Sequence, residues 1–514
     1  MAAAVAEQVD PAEDPLFQKA PRRSIDIVKG THTNEIVIAL CGPIGSPIHL
    51  VAEELEKQLA ERFEYECTCL KLSSFIEDRA ALVDVKIDSS NRFKRVKSLI
   101  SAGDKLRERY GSGVLAELAI REISVVRNRR KKEDGADSFA PARVCTIIDS
   151  VKNQEELDIL RLVYRDMLYC VGVGSPPSFR EGSLKKEGMS QADIYELIDQ
   201  DSGEECSYGQ TVRETFPQAD VFIRVDTPLI DALAGKIARY LNIILDTQVE
   251  TPTPDEAAMF MAATAAVNSA CLSRQVGAAI TDAKGEIIAV GWNDVPKASG
   301  GLYCATKDPG HADLRCKNVG RGECQSDVWK QRISRWIAEA LAKGNLLSNE
   351  SIDEATAVIV ESKVKDLLEF SRAIHAEMHA IIIGAQKTGD RMVNGKLFCT
   401  TYPCHQCARH IIMAGIKDVF YIEPYRKSLA TSLHTDAISE QEADKEKVRI
   451  LPFDGISPNR YLELFRMKED SRKKDGRVAV VNPRDAQLKT AISLESLPVL
   501  EGTVVKNLRE KELE

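Results

Sequence analysis

A chain of 514 residues, 44% of them hydrophobic, is too long for one ordinary core and can build two. Its formal net charge of −9 offers polyanions no general attraction, which argues against a nucleic-acid substrate. Its 13 cysteines, without regular spacing, fit a reducing cytoplasm better than a disulfide framework, and neither a signal peptide nor an apolar run of about 18 residues is visible, so a soluble cytoplasmic protein is expected.

Residues 1–33 are too poor in apolar side chains to offset the entropy of ordering and are expected to form a loose leader. Folded structure should begin with the apolar strand at residues 35–40, followed by the turn Gly42-Pro43-Ile44-Gly45-Ser46-Pro47 and the amphipathic helix LVAEELEKQL. Strand, glycine turn and helix can hold an anion on backbone amides, which marks Gly42, Gly45 and Ser46 as candidate nucleotide-binding residues. A phosphate-loop pattern would place its second glycine, lysine and hydroxyl residue where Pro47, Ile48 and His49 stand. Without that lysine and hydroxyl, phosphoryl transfer is not expected. The alternative is a tight strand-to-helix turn in an inactive scaffold.

Beyond the turn, YECTCLKL, RVCTIIDS, LYCVGVG and ADVFIRVD read as strands between the helices VLAELAIREISVVRNR, EELDILRLVYRDM and LIDALAGKIARYLNII. This alternation predicts a parallel, doubly wound sheet. The basic run Arg127-Asn128-Arg129-Arg130-Lys131-Lys132 is expected to be a solvated loop. In the polar segment 178–210, Arg180, Lys185 and Lys186 either face solvent or touch phosphate.

Thr251-Pro252-Thr253-Pro254 marks a boundary near residue 250, with Thr253 and Glu256 in a capping-box pattern and Pro254 at the first helical position. After the helix DEAAMFMAATAAVNSACLS, the strands VGAAITD and EIIAVGW flank Ala283-Lys284-Gly285 as a hairpin ahead of Asn293. Between Pro296 and Asp327, Cys304, His311, Cys316 and Cys324 are candidate ligands for a second, structural zinc. None of their pairs has the short gap usual for such a site, and ordinary reduced cysteines are the alternative.

The chemistry centres on His375-Ala376-Glu377 and, after a strand-like segment, Pro403-Cys404-His405-Gln406-Cys407. His375, Cys404 and Cys407 supply three zinc ligands and leave a fourth position for water, whose pKa zinc lowers to about 7. Glu377 is then a proton shuttle rather than a ligand. Both motifs open apolar-periodic runs, HAEMHAIIIGAQ and CHQCARHIIMAG, so the ligands should sit at helix starts where the positive dipole end favours thiolates. Gly415 should end the second helix. The alternative is a closed structural zinc site with a fourth ligand from His379, His405 or His410.

These motifs resemble the zinc-dependent cytidine and deoxycytidylate deaminase superfamily. Ser273-Arg274-Gln275-Val276-Gly277-Ala278 and Val290-Gly291-Trp292-Asn293 look like the two strands ahead of the site in deoxycytidylate deaminases, and Ala414-Gly415-Ile416-Lys417-Asp418-Val419 is also similar. The whole layout resembles the bacterial anti-phage dCTP/dCMP deaminases. That resemblance implies an α/β protein: a P-loop-like, kinase-like doubly wound parallel sheet over residues 34–250, an α/β/α cytidine-deaminase-like domain over 251–467, and an extension over 468–514.

The resemblance further implies hydrolytic deamination of free dCTP or dCMP with one catalytic Zn2+, depleting deoxycytidine nucleotides during phage infection. Asn293, Arg274, Ala376 and Lys427 would bind substrate, with Arg426 beside Lys427. A regulatory nucleotide at the first domain and a homo-oligomer belong to the same expectation. Two rivals stand against it. A polynucleotide-editing deaminase should carry a basic, aromatic-studded groove, whereas aromatics make up only 6% of this acidic chain. A regulatory nucleotide-binding protein with a vestigial zinc site would have no need of an intact Glu377.

Overall fold

The computed structural model describes residues 31–133, 139, 141–202, 210–226, 230–305, 312–424, 428–467, 472–474, 476–489, 492–494 and 496–513. In β1 (Ile36–Cys41), Val37, Ala39 and Cys41 face one core and Ile36, Ile38 and Leu40 face another. Successive side chains leave opposite faces of a strand, so a strand apolar on both faces must lie inside a sheet covered on both sides. The helices Val114–Glu133 and Gln154–Tyr164 cover the first face, through residues such as Leu115, Leu118, Leu157 and Leu160. Ile48–Phe63 and Ile230–Ile244 cover the second, through Val51, Leu55, Ile237 and Leu241.

The remaining strands of this sheet are β2 (Glu66–Lys71), β3 (Val144–Asp149), β4 (Leu168–Gly174) and β5 (Val221–Arg224). They run parallel in the order β2-β3-β1-β4-β5. The second sheet contains β6 (Gly277–Thr281), β7 (Ile287–Trp292), β8 (Lys396–Thr401), β9 (Asp418–Glu423), β10 (Ile438–Ser439) and β11 (Val448–Pro452), in the order β10-β11-β9-β8-β6-β7. Here β8 to β11 pair in parallel, while β6 is antiparallel to both of its neighbours.

A two-residue strand, β12 (Gly455–Ile456), leaves the second sheet and adds antiparallel to β5, so the first sheet too is mixed. Strand pairing and packing therefore cross the position of the boundary expected near residue 250. One continuous core holds Val37 and Phe222 of the first sheet together with Ala279, Phe398 and Phe420 of the second. Glu256, 1% exposed, ties the seam: it completes the capping box with Thr253, pairs with both terminal nitrogens of Arg239 and accepts the Ile456 N–H at 2.9 Å. Among the described residues no helix is long and apolar enough to cross a membrane.

One sequence expectation needs correction. The basic run at 127–132 is not a solvated loop; it forms the last turns of the Val114–Glu133 helix. Arg127 is 7% exposed and pairs with Glu35 and with Glu501 of the Leu497–Glu510 helix, which also accepts from Tyr164 Oη at 3.2 Å. Arg127 alone of the run is buried, because acids distant in sequence neutralise it and local periodicity cannot register them, while Asn128, Arg129 and Lys132 stay exposed. In the segment 468–514, Ile492–Ser493 pairs with His32–Thr33 and the last helix packs on the first core. Glu501→Ala, which leaves a buried guanidinium short of its partner, should lower unfolding free energy by about 3 kcal/mol, read from the urea midpoint at unchanged slope.

Candidate active site

Two glycines allow the site to form. A Cβ on Gly277 would lie 1.9 Å from the Ala262 carbonyl oxygen, and one on Gly291 would lie 2.5 Å from the Ala376 carbonyl oxygen and the Ala380 nitrogen. The Pro254–Ala266 helix therefore presses on β6, and the Ala376–Thr388 helix presses on β7. No larger residue is compatible with either approach.

The second of these helices begins at His375, which is pinned by the Ile374 N–H donating to the Asp294 carbonyl at 3.0 Å. The His405–Met413 helix begins at Cys404, directly after β8, and Gly415 follows its end at φ 72°. His375 and Cys404 both occupy N-cap positions, and neither side chain caps its helix. Positions that usually carry Ser, Thr, Asp or Asn thus hold an imidazole and a thiol left available for other partners.

His375 Nδ1 lies 3.3 Å from Cys404 Sγ and 3.3 Å from Cys407 Sγ. One ligand atom from each of the three residues lies within 4.8 Å of the others, and no other group of three or more His, Cys, Asp or Glu among the described residues could hold a metal. This is a donor set and spacing that fits zinc. The closed-site alternative finds no fourth ligand in that group. His379 Nδ1 is engaged with the Trp292 backbone at 3.1 Å, and His410 Nδ1 with the Gln406 carbonyl at 2.8 Å. The His405 Nδ1 is buried without a partner and does not join the cluster.

Hydrogen bonds from Cys407 and then His375 outweigh burial and pull the Cys404 thiol down to about 4. Burial opposes charge on His375, but Cys404 and Glu377 prevail and push it up to about 9. Burial drives the Cys407 thiol well above its ordinary value. A divalent cation would hold all three side chains in their deprotonated forms. Glu377 is 4% exposed, and burial pushes its carboxyl up while His375 opposes the shift.

His375, Glu377 and Cys404 line one pocket of about 290 Å3, with Ala376, Arg274 and Asn293 on its walls. Arg274 pairs with Glu423 at 3.0 Å. Asn293 accepts the Val276 N–H at 2.7 Å and donates to the Arg274 carbonyl at 2.9 Å, so its amide braces the pocket edge. Lys427 and Arg426 lie outside the described residues, as does His311. Cys304 is exposed, Cys316 Sγ accepts from Arg372 at 3.9 Å, and Cys324 Sγ lies 3.9 Å from Ser273 Oγ, so these three cysteines are not gathered into one group.

Sequence reasoning missed Arg213 and Lys330, which also line the pocket. Arg213 comes from the short Val212–Thr215 helix ahead of β5, in the other half of the chain, and Lys330 from the Gln325–Lys343 helix. No motif or spacing marks either of them.

The family model for the cytidine and deoxycytidylate deaminase zinc-binding region matches residues 252–423. ComE operon protein 2 of Bacillus subtilis (strain 168) is 46% identical over 56 residues, 11% of this chain and 29% of that protein. The chain thus spans under a third of that relative. The deoxycytidylate deaminase of Enterobacteria phage T4 is 27% identical over 163 residues, 31% of this chain and 72% of the phage protein. The crystal structure of the dCMP deaminase from the cyanophage S-TIM5 in complex with dCMP and dUMP is 20% identical, covers 40% of this chain and 99% of that one, and gives a TM-score of 0.24.

Proposed function

We propose that this protein is a zinc-dependent hydrolase that removes the exocyclic amine of cytosine from a free deoxycytidine nucleotide, dCMP or dCTP, leaving the uracil nucleotide and ammonia. The carrying observation is the three-ligand cluster His375, Cys404 and Cys407 with buried Glu377 in the same pocket and no fourth protein ligand among the described residues. The match of residues 252–423 to the deaminase zinc-binding region supports the same reading.

His375 Nδ1 and the two cysteine Sγ atoms would hold the ion, which when bound supplies a water acidified to a pKa near 7. Glu377 moves the protons. Its carboxylate takes one from the attacking water and passes it to ring N3 as oxygen bonds to C4, then takes the second from the new C4 hydroxyl and delivers it to N4 as the C4–N4 bond breaks. One water is consumed and one ammonia leaves. Asn293 holds the Arg274–Val276 backbone against the substrate, Ala376 forms part of the wall, and Arg213, Arg274 and Lys427 are the cations that would meet the phosphate.

In this reading the first sheet is a kinase-like scaffold that binds a nucleotide at Gly42–Ser46 without transferring phosphate. The assembly is a cytoplasmic homo-oligomer, and the cellular use is depletion of deoxycytidine nucleotides during phage infection. Ammonia release from dCMP, dCTP, cytidine and a short single-stranded oligonucleotide tests the substrate class. Turnover of dCMP or dCTP with the oligonucleotide untouched is expected, because the net charge of −9 gives no broad polyanion surface. Preferential deamination of the oligonucleotide at physiological salt would overturn the free-nucleotide reading.

A further inference from the structure

A second cavity, of about 340 Å3, lies at the C-terminal ends of β1 and β3, lined by Ile44, Gly45, Ser46, Lys152, Asp201 and Gln210 among others. Open parallel sheets bind ligands in this position. The turn's own sequence lacks a cation, with Pro47, Ile48 and His49 where the phosphate-loop's second glycine, lysine and hydroxyl would fall. The structure supplies one from elsewhere. Lys152, three residues beyond β3, places its Nζ at the turn and donates to the Gly42 carbonyl at 2.7 Å.

The partner of that ammonium is informative. Asp201, 4% exposed, accepts from Lys152 Nζ on one carboxylate oxygen at 2.8 Å and from the Ile44 N–H on the other at 2.7 Å. An anion held jointly by a turn amide and a lysine is the coordination a phosphate oxygen would receive. The other cations here are committed: Arg107 is buried on Glu156 and Asp104, Arg92 pairs with Glu187, and Arg95 with Glu77.

The cavity also carries unmet polar demand. Gln210 is 9% exposed, yet its side-chain oxygen has no hydrogen-bond partner, and the buried Ser46 Oγ has none either. Buried polar atoms are seldom left unpaired, and those that are call for an explanation.

We propose that this cavity is a binding site for a phosphate group, carried by a nucleotide or by inorganic polyphosphate. Lys152 and the Ile44 amide receive the phosphate, Gln210 and Ser46 supply further polar contacts, and Asp201 is the intramolecular competitor that the ligand displaces. The inference rests on the reading of a nucleotide at Gly42–Ser46 and specifies its cation and its latch. The site also reaches the deaminase pocket through residues 210–213. Thr211 N–H donates to the Lys152 carbonyl at 2.8 Å, and its hydroxyl accepts the Gln154 N–H at 3.2 Å. Gln210 on one side lines this cavity, and Arg213 on the other lines the pocket of His375 and Glu377.

Calorimetric titration of ATP and of inorganic tripolyphosphate into the full-length, zinc-loaded chain tests the site, with Lys152→Met, Asp201→Asn and Gln210→Leu each first checked for a cooperative thermal melt. Wild type should bind ATP saturably, Lys152→Met at least about tenfold more weakly, and Asp201→Asn at least about tenfold more tightly, the scale of one charge-assisted hydrogen bond. Gln210→Leu should also weaken binding, and it decides the matter if a variant of the ion pair does not fold. Equal binding of tripolyphosphate assigns recognition to the phosphates, and binding of ATP alone assigns it to a nucleotide. Affinity unchanged across the folded variants, or no saturable binding even in folded Asp201→Asn, overturns the proposal.

With dCMP as substrate, ATP should shift KM in wild type and not in Lys152→Met. KM unmoved in wild type at saturating ATP overturns the coupling through residues 210–213. Intact ATP binding in a chain that deaminates nothing would count against the deaminase reading alone.

Discussion

Glu377→Ala is expected to lower turnover by about 10²–10⁴-fold, the contribution of one positioned acid–base group, while the bound metal stays near one ion per chain. The two readouts separate because Glu377 lies in the pocket but outside the three-ligand cluster. Its burial at 4% exposure also means that alanine opens space beside the metal site, so a fold check must accompany the assay. Elemental analysis of the purified variant, set beside ammonia release from dCMP and dCTP, gives the result directly. Activity above about a hundredth of wild type would remove the proton-shuttle role. Loss of the metal together with activity would make Glu377 a ligand.

Cys407→Ser is expected to lose both metal and turnover. Cys407 is fully buried at the first turn of the His405–Met413 helix, with Sγ 3.3 Å from His375 Nδ1, and a serine hydroxyl replaces a soft, ionisable donor with a hard, neutral one. Metal binding is linked to folding, so a chelator should lower the melting temperature of the wild type and leave the variant almost unmoved. At a free zinc concentration about a hundred times Kd, the wild type gains about 2.7 kcal/mol of stability that the variant lacks. A variant that retains one zinc per chain would point to a different ligand set.

The helices, strands and hairpin were legible where local rules act alone. The capping box at Thr253 and Glu256, the turn at 283–285 and the helix starts at His375 and Cys404 all stand where the sequence places them. Errors fell where a local pattern was outvoted from a distance. Arg127 reads as a solvated charge until Glu35 and Glu501 neutralise it. The strand at Gly455–Ile456 is too short to carry periodicity, and its place beside β5 comes from backbone pairing alone.

The sequence by itself marked His375, Cys404 and Cys407 as candidate ligands and Glu377 as the acid beside them. Such chemistry demands particular residue types at short, fixed separations, and short separations survive in a one-dimensional record. Tertiary structure alone decided what surrounds those residues: Arg213 arriving at the pocket of His375 and Glu377 from the other half of the chain, and Lys152 standing at a glycine turn more than a hundred residues away, latched by Asp201. Long-range contacts depend on how sheets twist and helices dock. One side chain carries no mark of the partner it meets until the whole chain has folded.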